Sequence, residues 1–288
     1  MIQKADPMTI RTTNRWLIMR HLYHGYANTR SELSRQTGLT RTAISDVVTS
    51  LMEDGFICEV GYRSSLPGRP PMILEIPNCA RYIIGVQIEV DYVRGILGDL
   101  RGNIIQQKKI ILNSTEAGVV VSAIEELINA LLCVDSNKVL GIGISSPGII
   151  NTTKGIINYA ANLGWRNVPL KQMLDDNFGV PLHVANDTTC AGLAETLFGL
   201  GKGFHRVCTI VAEAGVGAGI TISDEQCKEM TNGSAEIGHL KVFMENRWDG
   251  FSEREYALEE LIGKKGLETH LENIAKSTQD QDLLGLLD

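Results

Sequence analysis

Apolar residues recur with a helical period through the first part of the chain. Trp16, Leu17, Met19, Leu22 and Tyr23 predict a helix over 14–25 that stops near Gly25. Thr29 followed by Glu32 has the form of a capping box, so a second short helix opens there, with Leu33 as its core contact and Gly38 at its turn. A third helix opens at Thr40. In it Ile44, Val47, Val48 and Leu51 fall at i, i+3, i+4 and i+7, which makes one buried stripe. Phe56-Ile57 then starts a strand, and Met72-Ile73-Leu74-Glu75-Ile76 returns as its partner. Between them runs the compact basic loop Ser64-Ser65-Leu66-Pro67-Gly68-Arg69-Pro70-Pro71.

Three helices followed by a two-stranded ribbon predict a winged helix-turn-helix over 1–77. The third helix shows Arg41, Thr42, Ser45, Asp46 and Thr49 on the face opposite its apolar stripe. Such short donors and acceptors reach base edges or phosphates in a major groove. Arg63 and Arg69 in the wing are placed to contact a minor groove. The plainer alternative is a module used for protein contact or kept as a scaffold.

From residue 78 the pattern changes to strands alternating with helices. Strands are expected at 83–88, 92–97, 104–105, 139–144, 182–185 and 207–211, the last followed by the glycine-rich stretch 215–220. Helices are expected at 118–132, 169–178, 188–199 and 253–274. Glycines stand at several strand ends, which argues for an α/β body with sites at those ends. The expected division is a first lobe over 78–187 and a second over 188–288. In the last helix Tyr256, Leu258, Leu261, Ile262, Leu267 and Leu271 form an apolar face. Leu258, Leu261, Ile262 and Leu271 are therefore dimer candidates, with an ordinary terminal core helix as the alternative.

Composition narrows the classes. The net charge of −7 is uneven: residues 1–77 hold nine Lys/Arg and seven Asp/Glu, and the remainder 18 and 27. Any DNA contact is thus local to the first domain. No run of 18 apolar residues is present, and the N-terminal residues lack the apolar core of a signal peptide, so a cytoplasmic protein without a membrane contact is expected. The six cysteines are scattered, with no Cys-x-x-Cys, as expected of free thiols in a reducing compartment.

Five motifs occur in one order: Pro147-Gly148, Asn162-Leu163-Gly164-Trp165, Asn186-Asp187, Gly215-x-Gly217-x-Gly219 and Glu236-Ile237-Gly238-His239. In this order they resemble the ROK family (repressors, open reading frames and sugar kinases). The winged helix-turn-helix is similar to its repressor branch of xylose-regulator and N-acetylglucosamine-repressor type. The resemblance implies an actin-like, hexokinase-like ATPase-fold body of two lobes, a sugar or sugar phosphate between them, and homo-oligomers. Asp187 matches the family's catalytic base. Asn162, Asn186, Glu236 and His239 match sugar-contacting positions, and Gly148 matches the backbone beside the sugar. The residues alone leave a second reading of Asn186-Asp187, as a strand end that caps the next helix.

The departures from the family are equally specific. Its kinases carry Asp-x-Gly-Gly-Thr at the first phosphate loop, where this chain reads Gln87-Ile88-Glu89-Val90-Asp91. Glycines that let backbone N–H groups approach phosphate are thereby replaced, and Glu89 and Asp91 repel it. The second loop reads Glu213-Ala214-Gly215 in place of Gly-Thr-Gly. No enzyme activity and no cofactor are expected. The family's zinc site needs a His followed by a cysteine cluster; His239 is present, but no cysteine follows Cys227, so no metal is expected. The chain also stops short of the family's usual extent, which implies a shortened second lobe. This combination is similar to degenerate family members that act as anti-repressors in antibiotic-resistance control. The leading expectation is a homodimeric, non-catalytic regulator acting through a partner repressor protein. A sugar-responsive repressor that binds promoter DNA directly is the alternative, and a sugar kinase is disfavoured.

Overall fold

The structure is a computed structural model. It describes residues 7–62, 70–132, 136–174, 178–213, 215–224, 229–244 and 254–278. Two apolar cores organise the chain, one under the N-terminal module and one in the α/β body.

The N-terminal module consists of α1 (Pro7–Tyr23), α2 (Arg30–Thr37), α3 (Arg41–Glu53) and the antiparallel pair β1 (Cys58–Tyr62) and β2 (Met72–Glu75). This is the expected element order. Thr29 caps α2 by accepting from the Glu32 N–H, and the Glu32 carboxylate reaches back to the Asn28 N–H at 3.1 Å. The reciprocal box is thus offset by one residue. Gly38 ends α2 at φ +72°, a left-handed conformation that favours glycine. Ile44, Val47, Val48 and Leu51 of α3 are buried as expected.

Two details differ from the pattern-based reading. The helix predicted over 14–25 begins at Pro7, and its deepest residue is Ile18, fully buried, while Trp16 is 55% exposed. Positions two apart are separated by about 200° around a helix, so Ile18 and Trp16 cannot share a face. Trp16 lies under the Arg20 guanidinium instead. The strand expected from Phe56 begins at Cys58, because the Gly55 and Phe56 N–H groups still bond back to Met52 and Leu51 of the α3 end.

The body opens with β3 (Tyr82–Ile88), β4 (Tyr92–Asp99) and β5 (Ile104–Ile111), followed by α4 (Ala117–Leu132) and β6 (Val139–Ser146). A small antiparallel sheet follows: β7 (Ile149–Asn151), β8 (Ile156–Ala160) and β9 (Trp165–Val168). Then come α5 (Leu170–Leu174), β10 (Leu182–Asn186) and α6 (Asp187–Leu197). The main sheet has the order β10-β6-β3-β4-β5, with β3, β6 and β10 parallel. Alternate residues of β3 (Tyr82, Ile84, Val86, Ile88) are buried in a core shared with Ile124, Leu127 and Leu131 of α4. The helix expected over 169–178 is shorter, and positions 175–177 lie outside the described residues.

A second sheet pairs β11 (Arg206–Ala212), β12 (Val216–Asp224) and β13 (Glu229–Ala235), all antiparallel. The last elements are β14 (Lys241–Met244), β15 (Arg254–Ala257), α7 (Leu258–Ile262) and α8 (Lys264–Thr278). The continuous helix expected over 253–274 is therefore broken. Its first residues pair with β14 as a strand, and the Glu260 carboxylate caps α7 by accepting from the Ala257 N–H. Gly263 then separates α7 from α8.

Candidate functional site

At the end of β10 the chain turns into α6, and the turn is fixed by Asn186. Its Oδ1 accepts from the Thr189 N–H at 3.1 Å and from the Thr188 hydroxyl at 2.7 Å. Its Nδ2 donates to the Gly148 carbonyl at 3.0 Å, which ties this helix start to the end of β6. Gly148 has φ +99°, and a Cβ there would sit 2.2 Å from the Tyr159 carbonyl oxygen, so only glycine fits. The structure therefore brings Gly148, Asn186 and Asp187 together. Asn162 is exposed on the turn that follows β8, the strand Gly148 abuts.

Asp187 is the first residue of α6 and accepts from the Thr188 N–H at 2.7 Å. Burial, and then the negative charges of Glu236 and Glu213, push its carboxyl above the ordinary range. Beside it, Glu89 accepts from the Gln87 amide at 2.7 Å. Burial raises the Glu89 carboxyl too, with Glu213, Asp187 and Asp91 adding repulsion. The carboxylates that replace both phosphate-loop sequences thus lie close enough for their charges to act on one another and on Asp187. Burial and the Asp187 charge also push the Cys190 thiol up to about 11, which keeps it protonated and poorly nucleophilic at neutral pH.

Glu236 precedes, and His239 ends, a single 3-10 turn over Ile237–His239. Glu236 couples to Asp187 by charge, whereas His239 is exposed and lies 3.5 Å from the Glu259 carboxylate of α7. Glu259 had no counterpart in the sequence motifs, because nothing local marks it as the partner of a residue twenty positions away. Among the described residues no cluster of three or more His, Cys, Asp or Glu has the arrangement of a metal site.

The glycines at Gly217 and Gly219 have a packing role. A Cβ on Gly217 would lie 2.5 Å from the Thr188 side chain, and one on Gly219 2.0 Å from the Thr188 carbonyl oxygen. They let α6 lie directly on β12.

The second candidate surface is α3. Thr40 caps it by accepting from the Ala43 N–H at 3.2 Å. Arg41, Thr42, Ser45 and Thr49 are all exposed, on the face opposite the buried stripe. Several nearby cations are engaged elsewhere: Arg15 pairs with Asp54 and bonds Ser50, Arg11 bonds Ser50, and Arg30 pairs with Glu59. Arg63 and Arg69 lie outside the described residues. Of the dimer candidates, Leu258 and Leu261 are half-buried where α7 meets its neighbours, while Ile262 and Leu271 are exposed.

Comparison with known proteins fixes the class. The ROK family model matches residues 83–286, and the chain belongs to the ROK family. It is 28% identical over 241 residues to a xylose repressor of Bacillus spizizenii, an overlap of 83% of this chain and 62% of the relative. The chain thus spans about three fifths of the length of that repressor. A solved ROK family transcriptional regulator superposes with a TM-score of 0.73 at 20% identity, over 93% of this chain and 68% of that one. A ROK glucokinase from Streptomyces griseus, solved with glucose and AMPPNP, gives a TM-score of 0.58 at 26% identity, over 69% and 62%. The fold is that of the solved ROK regulator, N-terminal helices on a hexokinase-like body, and the sequence is similar to xylose repressors. No helix among the described residues is long and apolar enough to cross a membrane.

Proposed function

We propose that the protein is a sugar-responsive, DNA-binding transcriptional repressor without kinase activity. The observation that carries this reading is the capped helix α3, whose polar side chains Arg41, Thr42, Ser45 and Thr49 stand exposed opposite a buried stripe. The effector is a neutral sugar held by Gly148, Asn162, Asn186, Asp187, Glu236 and His239. Glu89, Asp91 and Glu213 disfavour both a phosphorylated sugar and a nucleotide at this place. The likeness to xylose repressors supports direct repression better than control through a partner. A homodimer joined through exposed Ile262 and Leu271, continued by Leu258 and Leu261, completes the reading.

One observation favours the second reading, an anti-repressor that docks on a repressor protein. On the module, Met8, Ile10 and Trp16 of α1 are exposed, and Arg11, Arg15 and Arg30 are engaged internally. Apolar exposure with few available cations suits a protein partner.

Fluorescence anisotropy on promoter fragments, with D-xylose, glucose and N-acetylglucosamine added in turn, separates the two. The repressor reading expects sequence-selective binding that a neutral sugar weakens. Arg41→Ala then costs about 1–3 kcal/mol of DNA affinity. Weak, sequence-independent binding with a steep salt dependence and no sugar effect overturns it and leaves the partner-mediated reading standing.

A further inference from the structure

Helix α6 has the polar cluster at one end and the N-terminal module at the other. Eleven residues separate the ends, a span of about 16 Å. At the far end Phe198 closes the helix, and its ring rests on Gly102 in the turn between β4 and β5; a Cβ on Gly102 would lie 2.6 Å from the ring. The same ring meets Tyr23, the last residue of α1, edge to face at 6.5 Å. Lys202, just beyond, is close enough to His24 to act on its charge.

We propose that α6 is the strut by which occupancy of the polar cluster sets the pose of the DNA-reading helix, with Phe198 as the contact that transmits the displacement. This rests on the repressor reading above. The strut is stiff because Gly192 and Gly219 bring α6 and β12 into backbone contact, with a Gly192 Cβ placed 3.1 Å from Gly219. Its hold on the first sheet is narrower: Asn186 ties it to Gly148, where the sugar is proposed to bind. The turn on which Phe198 bears is itself fixed. Asp99 accepts from the Arg101 and Asn103 N–H groups and the Asn103 amide, each at 2.9 Å. Arg101 then donates to the Ile76 carbonyl at 3.0 Å, beside β2. Motion of Phe198 over this fixed point falls on Tyr23. From there α1 passes it to α3 through Ile18 and through Arg11 and Arg15 on Ser50. Phe198 is half-exposed, and elements seated on one another through such contacts shift as units.

Amide hydrogen exchange of the full chain reads the link without any ligand. Asn186→Ser keeps a capping oxygen but removes the amide that holds Gly148. We expect the His24, Gly25 and Tyr26 amides, bonded to the Arg20, Leu22 and His21 carbonyls, to exchange about threefold faster or more in this variant. In a Phe198→Ala background the same substitution leaves them unchanged. If Asn186→Ser quickens exchange in the first turn of α6 but not at residues 24–26, the strut is overturned, whatever the protein binds. A second measurement follows D-xylose and promoter DNA together. Phe198→Ala keeps each separate affinity within about threefold while the effect of sugar on DNA affinity collapses from about tenfold towards none. Full coupling in Phe198→Ala also overturns the proposal. A wild-type chain that binds neither DNA nor sugar defeats the repressor reading instead, and the exchange result alone then decides the strut.

Discussion

Helices α3 and α6 both begin at a capped turn, yet they are built for opposite uses. In α3 the threonine cap, the regular apolar stripe and the polar outer face leave one side committed to the core and one side exposed. In α6 the cap is an asparagine already bonded across to Gly148, and small residues let the helix press on β12 with no side-chain layer between. The first helix works through a face, the second through its ends. A face tolerates substitution wherever it meets solvent; the face of a helix that is seated on backbone tolerates almost none.

The largest effect is expected where that contrast is sharpest. Gly219→Ala places a Cβ 2.0 Å from the Thr188 carbonyl oxygen, backbone that cannot yield without moving α6. Urea unfolding should show a loss of about 3 kcal/mol or more. On α3, an exposed substitution such as Thr49→Ala should stay within about 0.5 kcal/mol. A Gly219→Ala protein of wild-type stability would mean that α6 is not seated as described.

The two caps give the next test. Thr40→Ala removes one capping bond and should cost about 1 kcal/mol. Asn186→Ala removes the cap together with the donor to Gly148 and should cost about 2 kcal/mol. Equal losses in thermal or urea unfolding would show that the tie to Gly148 adds nothing.

The smallest effect concerns charge near the start of α6. Burial and neighbouring carboxylates raise Glu89 above its ordinary value of 4.5, so the folded state holds that proton more tightly than the unfolded chain. The associated stability is complete below the ordinary value and is lost as pH rises through the raised one. Glu89→Gln keeps an oxygen to accept from Gln87 and removes the charge. Its melting temperature should exceed the wild type by about 1–2 °C near pH 7 and match it below about pH 4. A variant that is less stable near neutral pH would reverse the assigned sign.

Much of α3 was legible because its signals are local. A capping threonine, four apolar residues at helical spacing and a polar remainder lie within a dozen positions. The family motifs likewise marked Gly148, Asn186 and Asp187, which the structure does bring together. Other readings failed where a distant partner decided the outcome. Trp16 reads as core from its hydrophobicity, yet Ile18 holds that place. Residues 254–257 follow a helical pattern, yet pair with β14 as a strand. Gly217 and Gly219 read only as part of a family motif, and what they do, admit α6, shows only in the packing.

The sequence by itself determined the element order, the capped third helix, the alternation of strands and helices, and the acidic replacement of both phosphate loops. Each follows from interactions within a few residues or from the identity of a side chain. Only the tertiary structure decided that the replacement carboxylates act by charge on Asp187, that Asn186 holds Gly148, and that Phe198 bears on Tyr23 and Gly102. These relations join residues 26 to 175 positions apart. Their existence depends on how sheets and helices stack, which no local periodicity encodes.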